Sequence, residues 1–176
     1  KRLELYGLLA DSVVVADAQS LPFAGNTFDF VLAFGCLMHI PNTGKAIDEI
    51  FRVLKPGGKA SAMMYYKHSL HWLYYIFFGK GVLRGELLTM SIQELSNRYT
   101  DGAYEEGNQL TKFYSKAELA KMFGKFGKIN IRIFDATTPI DHLPHRFLPL
   151  GTLIPRPIKL WLTTKVGQTV WVDVER

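Results

Sequence analysis

The stretch from Phe28 to Asn42, FDFVLAFGCLMHIPN, limits what this chain can fold into more than any other. Phe28, Phe30, Val31, Leu32, Ala33 and Phe34 form a near-continuous apolar run of strand length, rich in aromatic and β-branched residues. Such a run suits a strand covered on both faces, as in a parallel sheet. Gly35 then frees the backbone to turn or to let a ligand come close. In open α/β sheets ligands sit outside the carboxyl ends of the strands. Gly35 to His39 is therefore the first place to look for a site.

The residues that follow extend this reading. Asn42 or Thr43 can cap a helix in which Ile47, Ile50, Phe51 and Leu54 fall at i, i+3, i+4 and i+7, a single stripe that belongs on a sheet. Lys55-Pro56-Gly57-Gly58 forbids its continuation, and Lys59 to Tyr66 reads as the next strand. Strand, helix, strand with short turns is a right-handed crossover unit. Upstream, Lys1 to Tyr6 reads as a helix tail with Gly7 as its cap. Ser12 to Asp17 (SVVVAD) reads as a short β-branched strand, and Ala24-Gly25-Asn26 as a turn.

Downstream the pattern changes. Leu70 to Phe78 is apolar nearly all round, Arg84 to Arg98 reads as a second helix, and Tyr99 to Gln109 as a loop. Together, His68 to Gln109 is expected to be a helical insertion over one end of the sheet, within a single domain spanning residues 1–176. Ser115 with Glu118 makes a capping box ahead of Leu119, Met122 and Phe123. Lys128 to Phe134 alternates as a strand, Asp141 to Pro157 is a proline-rich connection, and Gln168 to Glu175 is a final strand expected at an edge.

Composition narrows the function classes. A hydrophobic fraction of 48% and a charged fraction of 21% are ordinary for a soluble globular domain. One cysteine excludes an internal disulfide framework and fits a reducing, cytoplasmic compartment. No apolar run approaches the roughly 20 residues that span a bilayer. The net charge of +5 is scattered, and its densest stretch, Lys112 to Lys128, is explained at least as well by a solvated helix face as by a nucleic-acid footprint. A small-molecule partner therefore ranks above nucleic acid. His142 and His145 flank a Leu-Pro pair without further clustered ligands, so no metal site is expected.

Three stretches in order carry a resemblance. Asp17-Ala18-Gln19-Ser20-Leu21-Pro22-Phe23 leads into Phe28-Asp29-Phe30-Val31 and Leu37-Met38-His39-Ile40; after one helix comes Arg52-Val53-Leu54-Lys55-Pro56-Gly57-Gly58. The chain resembles the class I S-adenosylmethionine-dependent methyltransferases, in the small-molecule, type-11-like branch that includes quinone-ring and sterol C-methyltransferases. The resemblance implies a Rossmann-like α/β sheet, mostly parallel with an antiparallel final strand. It implies S-adenosylmethionine as cofactor, with S-adenosylhomocysteine as product.

The resemblance also assigns residues. Asp17, Ala18 and Gln19 are similar to the residues that hold the adenine, with Leu21 and Phe23 as apolar walls. Phe34 and Gly35 match the strand end whose backbone meets the methionine part, and Cys36 would line the same site. Cys36 is not in a Pro-Cys pair, which argues against covalent cytosine-type chemistry. His39 is the candidate general base or acceptor contact, since histidine titrates near neutral pH; a structural histidine bonding the loop backbone is the alternative. The insertion is where this branch varies substrate choice. Its Trp72, Tyr74, Tyr75, Phe77 and Phe78 suggest an apolar or flat acceptor, with core packing or a homodimer contact through the tyrosines as alternatives.

One departure is large. The family carries a glycine-rich turn after its first strand and an acidic residue after its second, and neither precedes Lys1. The chain therefore reads as N-terminally truncated, and these residues alone are expected to bind the cofactor poorly. Two functions remain. One is methyl transfer to a small or lipophilic acceptor, by this chain or as the C-terminal part of an enzyme. The other is a non-catalytic, methyltransferase-like binding or scaffold module. An RNA methyltransferase is a third, weaker reading, whose signature would be steeply salt-dependent binding.

Overall fold

The computed structural model describes residues 7, 10–100, 108–134 and 154–176. The organising strand β1, Phe28–Phe34, pairs in parallel with β2, Leu54–Tyr66. Between them runs α1, Thr43–Val53, whose N-cap is Asn42: its side chain accepts from Lys45 N at 3.0 Å. α1 buries Ala46, Ile47, Ile50 and Val53. This is the crossover unit expected from the pattern. The Lys55–Gly58 turn is absorbed as an irregularity in the ladder, where Phe28 pairs Leu54 but Phe30 already pairs Lys59. Gly57 takes φ +76°, a left-handed conformation that an L side chain resists.

The remaining elements complete a mixed sheet. The insertion contributes a π-helix, His71–Leu83, and α2, Ile92–Tyr99. Then come β3, Phe113–Tyr114, α3, Lys116–Met122, β4, Lys128–Phe134, α4, Arg156–Val166, and β5, Thr169–Glu175. The strand order is β1-β2-β5-β4, and β3 adds in parallel to the carboxyl end of β2 beyond β1. β5 runs antiparallel to both β2 and β4. The capping box at Ser115 is formed as expected.

The register separates two faces. Val31, Ala33, Ala60, Ala62, Met64, Val170, Val172, Val174 and Ile133 point to one side. There they form the core with Ile47, Ile50, Leu119 and Phe123 of the helical layer. Phe30, Leu32, Phe34, Met63 and Trp171 point to the other side, and Phe34 is 63% exposed. The expectation that β1 is covered on both faces is thus corrected: among the described residues only its α1 side is covered, and β2 is its only ladder partner.

Four further expectations change. Ser12 to Asp17 forms no strand: the backbone lacks a ladder partner among the described residues, and Val13, Val14 and Val15 are exposed. β propensity is realised only where a pleated neighbour exists. Arg84 to Arg98 is two elements, because Gly85 turns at φ +72° and Ser91 starts α2 with its own capping box to Glu94. β5 is interior, not an edge, and buries Val170, Val172 and Val174 on alternate positions. The proline-rich connection ends earlier than expected: Pro155 caps α4 and Pro157 sits in its first turn, where a missing N–H costs nothing. The expected helix tail at Lys1 to Tyr6 lies outside the described residues, as do Asp141 to Leu153 with His142 and His145.

Candidate active site

The candidate site grows from the end of β1. Gly35 adopts φ +67°, and a Cβ there would meet Met63 Cε at an ordinary 3.6 Å. The backbone angle, not lack of room, calls for glycine. The chain then makes one short 3-10 turn, Leu37–His39, in which Leu37 and Met38 are buried and anchor the loop on the core. Cys36 precedes it and is exposed. Desolvation of its sulfur raises the thiol pKa, partly offset by the backbone N–H groups of Leu37 and Cys36. The thiol is therefore neutral near pH 7 and a weak nucleophile.

Side chains distant in sequence hold this loop. Lys112 N donates to Met38 O at 3.1 Å, and Lys112 Nζ donates to Ile40 O at 3.0 Å and Pro41 O at 2.6 Å. Thr43 Oγ1 donates to Leu37 O at 3.2 Å and lies 2.8 Å from the hydroxyl of Tyr114. His39 Nδ1 is 2.8 Å from Leu110 O. A carbonyl only accepts, so Nδ1 carries a hydrogen in this contact. Its ring also stands edge-on to Tyr65 at 6.1 Å. His39 thus ties the loop to the segment entering β3.

The acidic residue expected at the adenine is organised too. Gln19 N donates to Asp17 Oδ1 at 2.8 Å and Gln19 Nε2 to the same oxygen at 3.2 Å; Asn42 N donates to Gln19 Oε1 at 3.2 Å. The Gln19 backbone N–H, and then its side chain, lower the Asp17 pKa, so this exposed carboxylate is ionised at neutral pH. Asp17 and Gln19 are in this way joined to the end of the Gly35 loop, and Ala18 packs against the core.

A strap fixes the segment beyond. Glu49 accepts from Leu21 N at 2.7 Å and from Arg52 Nε at 2.7 Å. Arg52 in turn donates to Phe23 O at 2.8 Å and Leu21 O at 3.0 Å. The Arg52 guanidinium is the main reason that the Glu49 carboxyl is lowered from 4.5 to about 2. Leu21 and Phe23 line an apolar cavity of about 260 Å³ with Phe28 and Val53. Phe23 stands edge-on to Phe28 at 5.0 Å, at the start of β1. The structure therefore does not bring Phe23 to the Gly35 loop, which lies at the opposite end of that strand. Phe34 projects from the uncovered sheet face toward Trp171, 5.7 Å between rings.

A second cavity of about 480 Å³ opens between the insertion, β3 and α3. Trp72, Ile92, Phe113 and Met122 give it apolar walls, and Lys112 and Tyr114, which hold the loop, also line it. The aromatics of the insertion divide. Trp72 is buried and faces this cavity with Phe77 against its ring at 5.5 Å, whereas Tyr74 and Phe78 are exposed. Sequence reasoning missed Lys112, Tyr114, Glu49 and Arg52 as site-organising residues. Apart from the i,i+3 pair of Glu49 with Arg52, their partners lie far away along the chain, and no local pattern signals such pairings.

Comparisons with known proteins agree with this architecture. Residues 2–62 match the methyltransferase domain family. A demethylmenaquinone methyltransferase of Anoxybacillus flavithermus is 31% identical over 145 residues, covering 77% of this chain and 56% of that protein. A Staphylococcus aureus demethylmenaquinone methyltransferase is 36% identical over 128 residues, or 69% of this chain and 48% of that protein. A sterol 4-C-methyltransferase of Caenorhabditis elegans is 53% identical over 47 residues, 27% of this chain and 14% of that protein. The chain thus spans about half the length of the demethylmenaquinone methyltransferases. Among solved structures, a SAM-dependent methyltransferase from Thermotoga maritima superposes with a TM-score of 0.56 at 17% identity, covering 98% of this chain and 66% of that one. The [4+2]-cyclase SpnF gives 0.55 at 15%, covering 99% and 59%. In its ordered motifs, its matching relatives and its sheet, the chain is similar to the class I S-adenosylmethionine-dependent methyltransferases.

Proposed function

We propose that this chain supplies the acceptor side and the adenine end of a methyltransferase that acts on a small lipophilic molecule. The observation that carries this reading is the hydrogen-bonded series Asp17–Gln19–Asn42, which joins an ionised, exposed carboxylate to the left-handed Gly35 loop at the end of a parallel strand. S-adenosylmethionine, when bound, supplies a methyl group on an electrophilic sulfonium. The residues present fit its adenosine end: Asp17 can accept from an exocyclic amine, and Gln19 holds that carboxylate in place. The backbone at Phe34–Gly35 would meet the methionine part.

What these residues have to do is positional. A sulfonium needs no activation by the protein, so catalysis rests on bringing an acceptor into line with the methyl group. The 480 Å³ cavity is within the usual size of small-molecule sites. Its apolar walls at Trp72, Ile92 and Phe113 suit a ring or an isoprenoid-like body. Relatives that are demethylmenaquinone and sterol methyltransferases support the same class. His39 Nε2 would take a proton from an acceptor that must be deprotonated.

The test is transfer of tritium from methyl-labelled S-adenosylmethionine into hydroquinones and sterols, with Ile92→Trp as the probe of the cavity. The reading expects Ile92→Trp to raise the acceptor KM while leaving S-adenosylhomocysteine affinity unchanged. Equal effects on both would count against the cavity. A scaffold role is the second reading, and methyl transfer to none of these acceptors would support it.

A further inference from the structure

The insertion is apolar on both sides. A helix that is hydrophobic all round needs cover all round, and the π-helix His71–Leu83 has it on one side only. Trp72, Ile76 and Gly81 are buried, at spacings of four and five residues, the spacing expected of i→i+5 hydrogen bonding. Gly81 is packed so closely that a Cβ would meet Leu87, in the 3-10 turn Glu86–Leu88, at 2.8 Å and Leu95 of α2 at 3.1 Å. Tyr74, Phe78 and Leu83 repeat the same four-and-five spacing on the exposed side, joined by Leu73 and Val82. Leu83, the last residue of the helix, is 70% exposed, and the surface continues past it to Leu88, 90% exposed.

Along the π-helix itself the charge has one sign. From Lys67 to Gly85 the sequence holds Lys67, Lys80 and Arg84 and no carboxylate. Lys67 pairs with Glu118 across 3.4 Å, and Lys80 Nζ sits over the Tyr75 and Tyr99 rings at 5.2 and 4.8 Å. Arg84 is exposed beside Leu83. Glu86, the next acid, accepts from the Tyr99 hydroxyl at 2.8 Å. Exposed leucines and phenylalanine, with tyrosines and basic residues at the margin, form the composition of a bilayer interface. No helix among the described residues is long and apolar enough to cross a membrane, so the contact would lie in the interfacial plane.

We propose that the outer face of the insertion docks on an anionic lipid surface. The apolar side chains enter the acyl boundary while Arg84 and Lys80 stay at the head groups. The inference stands independently of methyl transfer, although a lipid surface is also where a lipophilic acceptor would be found.

The experiment is co-sedimentation with vesicles of phosphatidylcholine alone and of phosphatidylcholine with phosphatidylserine, with circular dichroism confirming the fold of each variant. Wild-type protein should sediment with both and more strongly with the anionic vesicles. The double variant Leu83→Ser, Leu88→Ser should bind both about tenfold or more weakly, since two large exposed apolar side chains are removed. Arg84→Gln should lose about fivefold on anionic vesicles and nothing on neutral ones. Absence of sedimentation with either vesicle, or variants equal to wild type, would overturn the proposal. So would a wild-type dimer that ignores vesicles and that Leu83→Ser, Leu88→Ser splits, because a second copy would then cover this face.

Discussion

Removing the Glu49 carboxylate should loosen the segment that carries Asp17, and the size of the effect follows from its partners. Glu49 is 17% exposed at its side chain and Arg52 is 40% exposed. The bond from Leu21 N, part-buried and charge-assisted, is worth about 1–1.5 kcal/mol. The bidentate contact with Arg52 is screened by solvent and adds about 0.5–1 kcal/mol. Glu49→Ala should therefore cost about 2 kcal/mol and lower Tm by about 4–8 °C for a chain of this length. Differential scanning fluorimetry at pH 7 measures this. The sign of the pH dependence is fixed: a carboxyl whose folded pKa is lowered from 4.5 to about 2 stabilises the fold above pH 4.5. That contribution fades as pH falls from 4.5 toward 2. The gap between wild type and Glu49→Ala should accordingly narrow over that window. A Tm change within about 1 °C at pH 7, or a gap that does not shrink on acidification, would refute the reasoning.

Two other outcomes follow from the loop. Tyr114→Phe removes the hydroxyl that meets Thr43 Oγ1 in a buried setting, and should cost about 1 kcal/mol, measured by urea unfolding. Cys36, with its pKa raised by desolvation, should react with iodoacetamide more slowly than a free thiol at pH 7.5 and recover speed only as pH rises; fast modification at pH 7.5 would contradict the raised pKa.

What could be read from the sequence was local and periodic. The stripe of Ile47 and Ile50, the Asn42 cap and the Ser115 capping box each announce a helix within one or two turns, and each is formed. β1 and β4 were legible as strands from their runs. Environment was not: FDFVLAF reads as doubly covered, yet Phe30, Leu32 and Phe34 lie on a bare face, because an apolar run records what a strand needs rather than what is there to meet it. SVVVAD failed as a strand for the same reason. QTVWVDVE gave the right element and the wrong position, since a period of two shows which side chains are buried but not how many neighbours a strand has. Within the site, Gly35 and His39 stood out by residue type and setting, and Asp17 through the family resemblance. Lys112, Tyr114 and the Glu49–Arg52 strap could be found only once the fold had brought distant segments together.

The central claim is that Asp17 and the Gly35 loop form the adenosine-side part of a cofactor site. Calorimetric titration of S-adenosylhomocysteine into the wild-type chain and into Asp17→Ala tests it most directly. The account predicts weak binding by wild type, with a dissociation constant on the order of 0.1–1 mM, and its loss in Asp17→Ala without a change in fold. No saturable heat from wild type, or binding of equal strength in Asp17→Ala, would contradict it.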